Sequence, residues 1–138
     1  MTTDRAQLID EEQRAPLAFS SLPAFVSDYL ALIIQRRMDD GSHLWCPSWW
    51  AHPEAIARLA AMWRAFEYLR SDPAIGLSNW WLHHADPHLA VLLSPTGPFH
   101  ACAQGHRSDA ERLPLDRMPA GLMDDPVFTV LVGDPFAM

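Results

Sequence analysis

The two cysteines of this chain, Cys46 and Cys102, are each followed by a histidine within six residues. Thiolate and imidazole are the side chains that hold structural zinc, usually as two close pairs from separate segments. Cys102-x3-His106 is one such pair. On the first segment Cys46 has two partners to choose from, His43 as His43-x2-Cys46 or His52 at the wider spacing Cys46-x5-His52. Either choice gives two Cys and two His, which would close a tetrahedral site. His100 competes with His106, although His100-x-Cys102 is crowded. The alternative without metal is plain. Cys46 and Cys102 would pack as small hydrophobes, His52 would cap a helix opening at Pro53, and His106 would face water.

A second group holds His83, His84, Asp86 and His88. His84 and His88 are four apart, which places two imidazoles on one face of an unbroken helix. Asp86-Pro87 predicts a break between them, with Asp86 as a cap. A hydrolytic metal centre there would need another ligand and a base. A Cys-His nucleophile needs partners that meet in space. The chain has no Gly-rich phosphate loop, no HExxH and no nucleophile elbow. No catalytic residue is therefore assigned, and a small metal-dependent or Cys-His hydrolase ranks third among the functions considered.

The bulk chemistry narrows the partners. The chain has 138 residues and a formal charge of -7, with every basic residue an arginine. Both ends are acidic and the middle is nearly neutral. Such a chain is a poor general ligand for phosphate backbones. All six tryptophans fall between Trp45 and Trp81. Neighbours in Trp49-Trp50 and Trp80-Trp81 cannot point the same way, so one of each pair is expected to face a partner. Exposed tryptophan favours protein interfaces, and the expected partner is a protein. The alternative is nucleic acid bound by an Arg/Trp surface. Arg58, Arg64 and Arg70 are six apart, which is not a helical face period, so they make no single basic stripe. No basic leader with an apolar run opens the sequence and no stretch reaches membrane-spanning length. The expected compartment is the reducing cytoplasm, with thiols free or metal-bound.

Three helices must position these residues. Ser20 or Ser21 caps the first, with Pro23 in its first turn and apolar residues at helical spacing from Leu22 to Ile34; it is predicted near 23–38. Pro53 opens the second, 53–70, with a stripe of Ile56, Leu59, Trp63 and Phe66, widened by Ala60, Met62 and Leu69, and a stop at Ser71-Asp72-Pro73. The third spans about 78–93. The expected fold is all-α, a small bundle of about three helices with flexible termini, zinc-stabilised if the site forms. Residues 1–19 read as a disordered acidic leader, 20–107 as a Trp-rich helical domain, and 108–138 as a polar linker and extended tail, with Val127 to Val132 a short strand or unfolded.

The stretch Trp45-Cys46-Pro47-Ser48-Trp49-Trp50-Ala51-His52-Pro53-Glu54-Ala55, followed by Arg58-Leu59, Trp63-Arg64-Ala65-Phe66-Glu67 and Leu69-Arg70, resembles the DUF4913 family. The similarity continues through Gly76-Leu77-Ser78, Trp80-Trp81, His84-Ala85-Asp86-Pro87-His88, Leu92-Leu93, Gly97-Pro98-Phe99, Cys102 and His106. It covers roughly residues 20–107. That family's members are similar to proteins of actinobacterial plasmids, prophages and integrated elements, and the resemblance implies no activity to carry over. It also implies that Cys46, His52, Cys102 and His106 act together as the ligand set, with His52 preferred to His43. Phe66 stands where the family pattern has Trp, and Leu82-His83 where a basic-acidic pair is usual. On this reading the protein is a non-catalytic interaction or regulatory protein of a mobile element, carrying one structural zinc ion.

Overall fold

A computed structural model describes residues 16–108 and 111–128. The acidic leader up to residue 15 and the tail beyond Phe128 lie outside the described residues; of the Val127 to Val132 stretch where a strand was one expectation, Val127 and Phe128 are described and belong to a 3-10 turn. Three helical rods form the bundle. Helix α1 covers 22–33, as Leu22–Phe25, a π turn Val26–Leu30 and Ala31–Ile33. Helix α2 is Pro53–Leu69. Helix α3 covers 76–92, as Gly76–Trp80, a π turn Trp81–Ala85 and Asp86–Leu92. The all-α bundle is as expected; among the described residues β pairing is confined to one isolated bridge, Ala103 to Gly105.

The predicted starts of the first two helices hold. Ser21 caps α1 by accepting the Ala24 N–H at 3.2 Å, satisfying a donor that the first turn leaves orphaned. Pro53 begins α2, where its missing N–H costs nothing. Two boundaries differ. Helix α1 ends at Ile33 rather than Met38, because Ile34 is already extended at φ −85°, ψ 117°. Adjacent β-branched Ile33 and Ile34 propagate a helix poorly. Arg37 instead reaches Asp39 at 3.0 Å and Asp40 at 3.6 Å, so it serves the following turn and not the helix dipole.

The expected break at Asp86-Pro87 is also absent. Asp86 has helical φ and ψ and caps nothing. Its N–H reaches five residues back to the Trp81 carbonyl. That wider π turn re-registers the ladder just upstream of Pro87, whose ring would otherwise press on the carbonyl four residues earlier. The third helix also starts earlier than expected, at Gly76. A Cβ at Gly76 would sit 1.9 Å from the Leu69 carbonyl oxygen, so only glycine lets α3 begin against the end of α2.

The core is aromatic. Phe25 and Trp80 are fully buried and Phe66 nearly so, with ring centroids 5.6 Å apart for Phe25–Phe66 and 5.4 Å for Phe66–Trp80. Trp80 Nε1–H donates to the Met62 carbonyl at 2.9 Å, which satisfies the one polar group the indole carries inside. Helix α2 buries Ala55, Leu59, Met62 and Phe66. Its apolar stripe is thus rotated from the one predicted. Ile56 is exposed and Trp63 half-buried, because the Trp63 N–H finds its acceptor at the boundary, on Glu67 at 3.0 Å.

Glu67 also pins the chain entering α1. Its carboxylate accepts the N–H groups of Ala18 at 2.8 Å and Phe19 at 3.0 Å, and pairs with Arg70 at 2.9 Å. Burial pushes its pKa up, but the bonds from Ala18, Phe19, Arg70 and Trp63 outweigh this and hold it below the ordinary value. A depressed carboxyl stabilises the fold fully above its unfolded pKa, about 4.3, and loses that contribution as pH falls through the lower folded value. Glu67→Gln is expected to cost about 1.5–3 kcal/mol at neutral pH, the worth of hydrogen bonds to a charged group. The deficit should shrink in urea titrations run below pH 4. An equal deficit at both pH values would remove the charge from this account.

A candidate metal centre

The site lies where the loop between α1 and α2 meets the loop after α3. Leu44 N–H donates to the Leu93 carbonyl at 2.9 Å and lays the two loops side by side. The first loop ends in a short 3-10 turn, Trp49–Ala51, closed by the His52 N–H on the Trp49 carbonyl at 3.1 Å. His52 is the N-cap residue of α2, and its carbonyl accepts the Ile56 N–H. Its imidazole makes no capping bond. The side chain is turned away from the helix and is 4% exposed. His52 thus holds the N-cap position through its backbone, while its imidazole is left for the cluster.

The second loop is a run of tight turns, Gly97 to Ser94, His100 to Gly97 and Cys102 to Phe99, each closed by a backbone hydrogen bond. A Cβ at Gly97 would meet the Val91 carbonyl oxygen at 2.1 Å, so the run can begin this close to α3 only from glycine. Phe99 is fully buried and meets Trp45 edge-on at 5.2 Å and His52 at 5.0 Å. This ring locks both loops from behind. The Gly97-Pro98-Phe99 stretch of the sequence is what builds this contact.

The two loops bring Cys46, His52, Cys102 and His106 together, with one ligand atom from each and all four atoms within 4.8 Å of one another. Cys46 Sγ lies 3.2 Å from His106 Nδ1, and Cys102 Sγ lies 3.6 Å from His52 Nε2. Bonds of zinc to nitrogen and sulfur place the corners of a tetrahedron ~3.3–3.8 Å apart. The spacing and donor types fit a Cys2His2 metal site. The close contacts run between the loops, not within the pairs read from sequence. Cys46, His52 and Cys102 are buried and His106 is exposed. Arg107 N–H donates to Cys102 Sγ at 3.4 Å, the kind of bond that steadies a ligating thiolate.

Electrostatics agree with this donor set. Burial pushes the His52 pKa down, with His106 and His100 adding to it, so the ring is held in its neutral, ligating form. Burial pushes the Cys46 thiol up, against a lowering bond from Ser48. A cation among the four is what would draw the thiol protons off. His43 and His100 stay outside the cluster. His43 Nδ1 lies 3.2 Å from the Arg37 carbonyl and His100 Nδ1 lies 3.0 Å from the Gly97 carbonyl. The second histidine group does not form a centre either. His88 Nδ1 accepts from Arg58 at 3.1 Å, and burial followed by the Arg58 charge lowers its pKa. Asp86 and His83 point to solvent.

Residues 19–119 match the family described as a domain of unknown function, DUF4913. The chain belongs to the DUF4913 family. No curated protein and no solved structure matches it. The DUF4913 match spans all three helices and both loops of the cluster, and it runs further toward the C-terminus than the resemblance read up to residue 107. In this DUF4913 chain Phe66 takes part in the core beside Trp80, so the smaller ring is accommodated there. Among the described residues no helix is long and apolar enough to cross a membrane.

Proposed function

We propose that Cys46, His52, Cys102 and His106 hold one structural zinc ion, and that the chain is a non-catalytic interaction or regulatory protein of a mobile element whose partner is another protein. The observation that carries the first part is the meeting of four ligand atoms within 4.8 Å from two loops 50–60 residues apart. Zinc there would pin the loop before α2 to the loop after α3 and so clamp both helices at their ends. In a reducing compartment it does what a disulfide cannot.

Four protein ligands leave no open position for water or substrate, which is the mark of a structural centre. Cys46 also lies 3.2 Å from His106, but its thiol is fully buried, so a Cys-His nucleophile there has no access to substrate. Two of the three arginines on α2 that an Arg/Trp surface would use are engaged within the chain. Arg58 serves Glu54 and His88, and Arg70 serves Glu67. Large apolar side chains are exposed instead, Trp50 at 64% and Leu82 at 61% among them. Each adjoins a tryptophan that packs against the core, Trp49 beside Trp50 and Trp81 beside Leu82.

Elemental analysis of protein purified without an affinity tag tests the centre. About one zinc per chain is expected, lost in the Cys46→Ala and Cys102→Ala variants. Fully folded, metal-free protein that is unchanged by added zinc would defeat the proposal.

A further inference from the structure

The two cysteines also face each other. Their sulfur atoms come from different loops and lie within 4.8 Å, and Cys102 hydrogen-bonds the Cys46 thiol. Both are free thiols. A disulfide holds its sulfurs about 2.05 Å apart, so each would travel on the order of 1 Å to reach the other. The cluster that offers two sulfurs to a cation is thus also a dithiol within reach of closure.

The pair is not symmetric. Cys46 is fully buried, whereas Cys102 keeps 6% exposure. Cys102 and its neighbour Ala103 line an apolar cleft of about 440 Å³ between α1 and α3, and residues 103–108 are exposed. A small uncharged oxidant therefore meets Cys102 first, and Cys46 stands behind it as the second thiol.

We infer that Cys46 and Cys102 are a redox-active pair, closed to an intramolecular disulfide by a peroxide, and that closure expels zinc where the cluster holds it. The release of zinc rests on the metal centre proposed above; the closure of the pair does not. Cys102 Sγ, as thiolate, attacks the O–O bond of hydrogen peroxide. The S–O bond forms, the O–O bond breaks, and the departing hydroxide takes a proton and leaves as water. Cys46 Sγ, as thiolate, then attacks the sulfenic sulfur of Cys102. The S–S bond forms, the S–O bond breaks, and the second hydroxide also leaves as water. The two sulfurs give up two electrons and the peroxide takes both, so the ion keeps its charge. It leaves because both of its sulfur ligands are spent. The disulfide ties the same two loops together, so one clamp replaces the other. What changes is His106, whose exposed stretch is then held by no common ligand.

Peroxide titration of the full chain, purified reduced and loaded with zinc, tests the pair. Zinc release is read with a chromogenic chelator, thiols after denaturation, and the bridge by intact mass. One peroxide should be consumed for each zinc released, with both thiols lost and the mass lower by two hydrogens. Dithiothreitol with added zinc should reverse all three. The oxidised, zinc-free chain should unfold at a higher temperature than the reduced, zinc-free chain, because only the former keeps its loops cross-linked. Cys46→Ser should stop at a sulfenic acid on Cys102 that dimedone traps. Cys102→Ser leaves only the buried thiol and should react about tenfold more slowly or less. A wild-type chain that bridges between molecules, runs on to a sulfinic acid at one cysteine, or keeps both thiols in excess peroxide overturns the inference while leaving a zinc-loaded centre standing. A chain that takes up no zinc yet closes the bridge defeats the centre and upholds the pair.

Discussion

If the Cys46–His52–Cys102–His106 cluster holds zinc as proposed, stripping the ion is expected to lower the unfolding temperature by about 15–30 °C. The estimate follows from the loop the centre closes. Cys46 and His106 are 60 residues apart. A cross-link over that length restricts the unfolded chain by about 4 kcal/mol on chain-entropy grounds. For a domain of this size each 1 kcal/mol moves the midpoint by about 4–8 °C. Direct ligand bonds add to this, since zinc contributes about 10–16 kcal/mol to folding of isolated zinc-finger peptides. The helices have their own aromatic core, so the far-ultraviolet spectrum should survive stripping at room temperature. The near-ultraviolet signal should not, because Trp45 packs on Phe99 beside the centre. Binding needs deprotonated thiols and neutral imidazoles, so the holo midpoint should fall toward the stripped one as pH drops. Cys102→Ala should behave as permanently stripped protein. A midpoint that does not move on chelation, in protein shown to have held zinc, would leave the ion without a structural role.

Trp80→Ala is expected to destabilise the domain by about 3–5 kcal/mol, the usual cost of emptying a large aromatic site in a core. The indole is fully buried between Phe25 and Phe66, and its N–H bond to the Met62 carbonyl ties α3 to α2. Total stability of a domain is about 5–15 kcal/mol, so this one change removes a large share of it. Trp80→Phe keeps a ring and loses the bond, and should recover most of the loss. Trp50→Ala, at an exposed position, should change stability by less than about 0.5 kcal/mol. Urea midpoints of the three variants decide the matter. A Trp80→Ala protein that unfolds with the wild type would mean that the core described above does not hold the helices together.

Much of this was legible in the sequence because it is local chemistry. Ser21 caps and Pro53 starts a helix through atoms within a few residues of themselves. The Ser71-Asp72-Pro73 stop is equally local, and capping and apolar periodicity together led to the expectation of about three helices. The four ligand types were visible too, and resemblance to the family selected His52 over His43. The tertiary structure decided whatever depends on contacts between distant residues. It crossed the ligand pairs, setting Cys46 against His106 and His52 against Cys102, because the Leu44–Leu93 bond and the Phe99 ring align two loops far apart in the chain. It chose Trp80 over Trp81 for the core, since only one of two adjacent indoles can reach the Met62 carbonyl. It rotated the stripe of α2, because Trp63 needed Glu67 as an acceptor and Glu67 was itself held by the chain entering α1. It kept α3 continuous through Pro87, because a π turn shifted the ladder by one residue at a place where no short-range pattern announces it. Capping and periodicity are properties of neighbours along the chain, whereas these choices were made by packing, which couples residues that the sequence keeps apart.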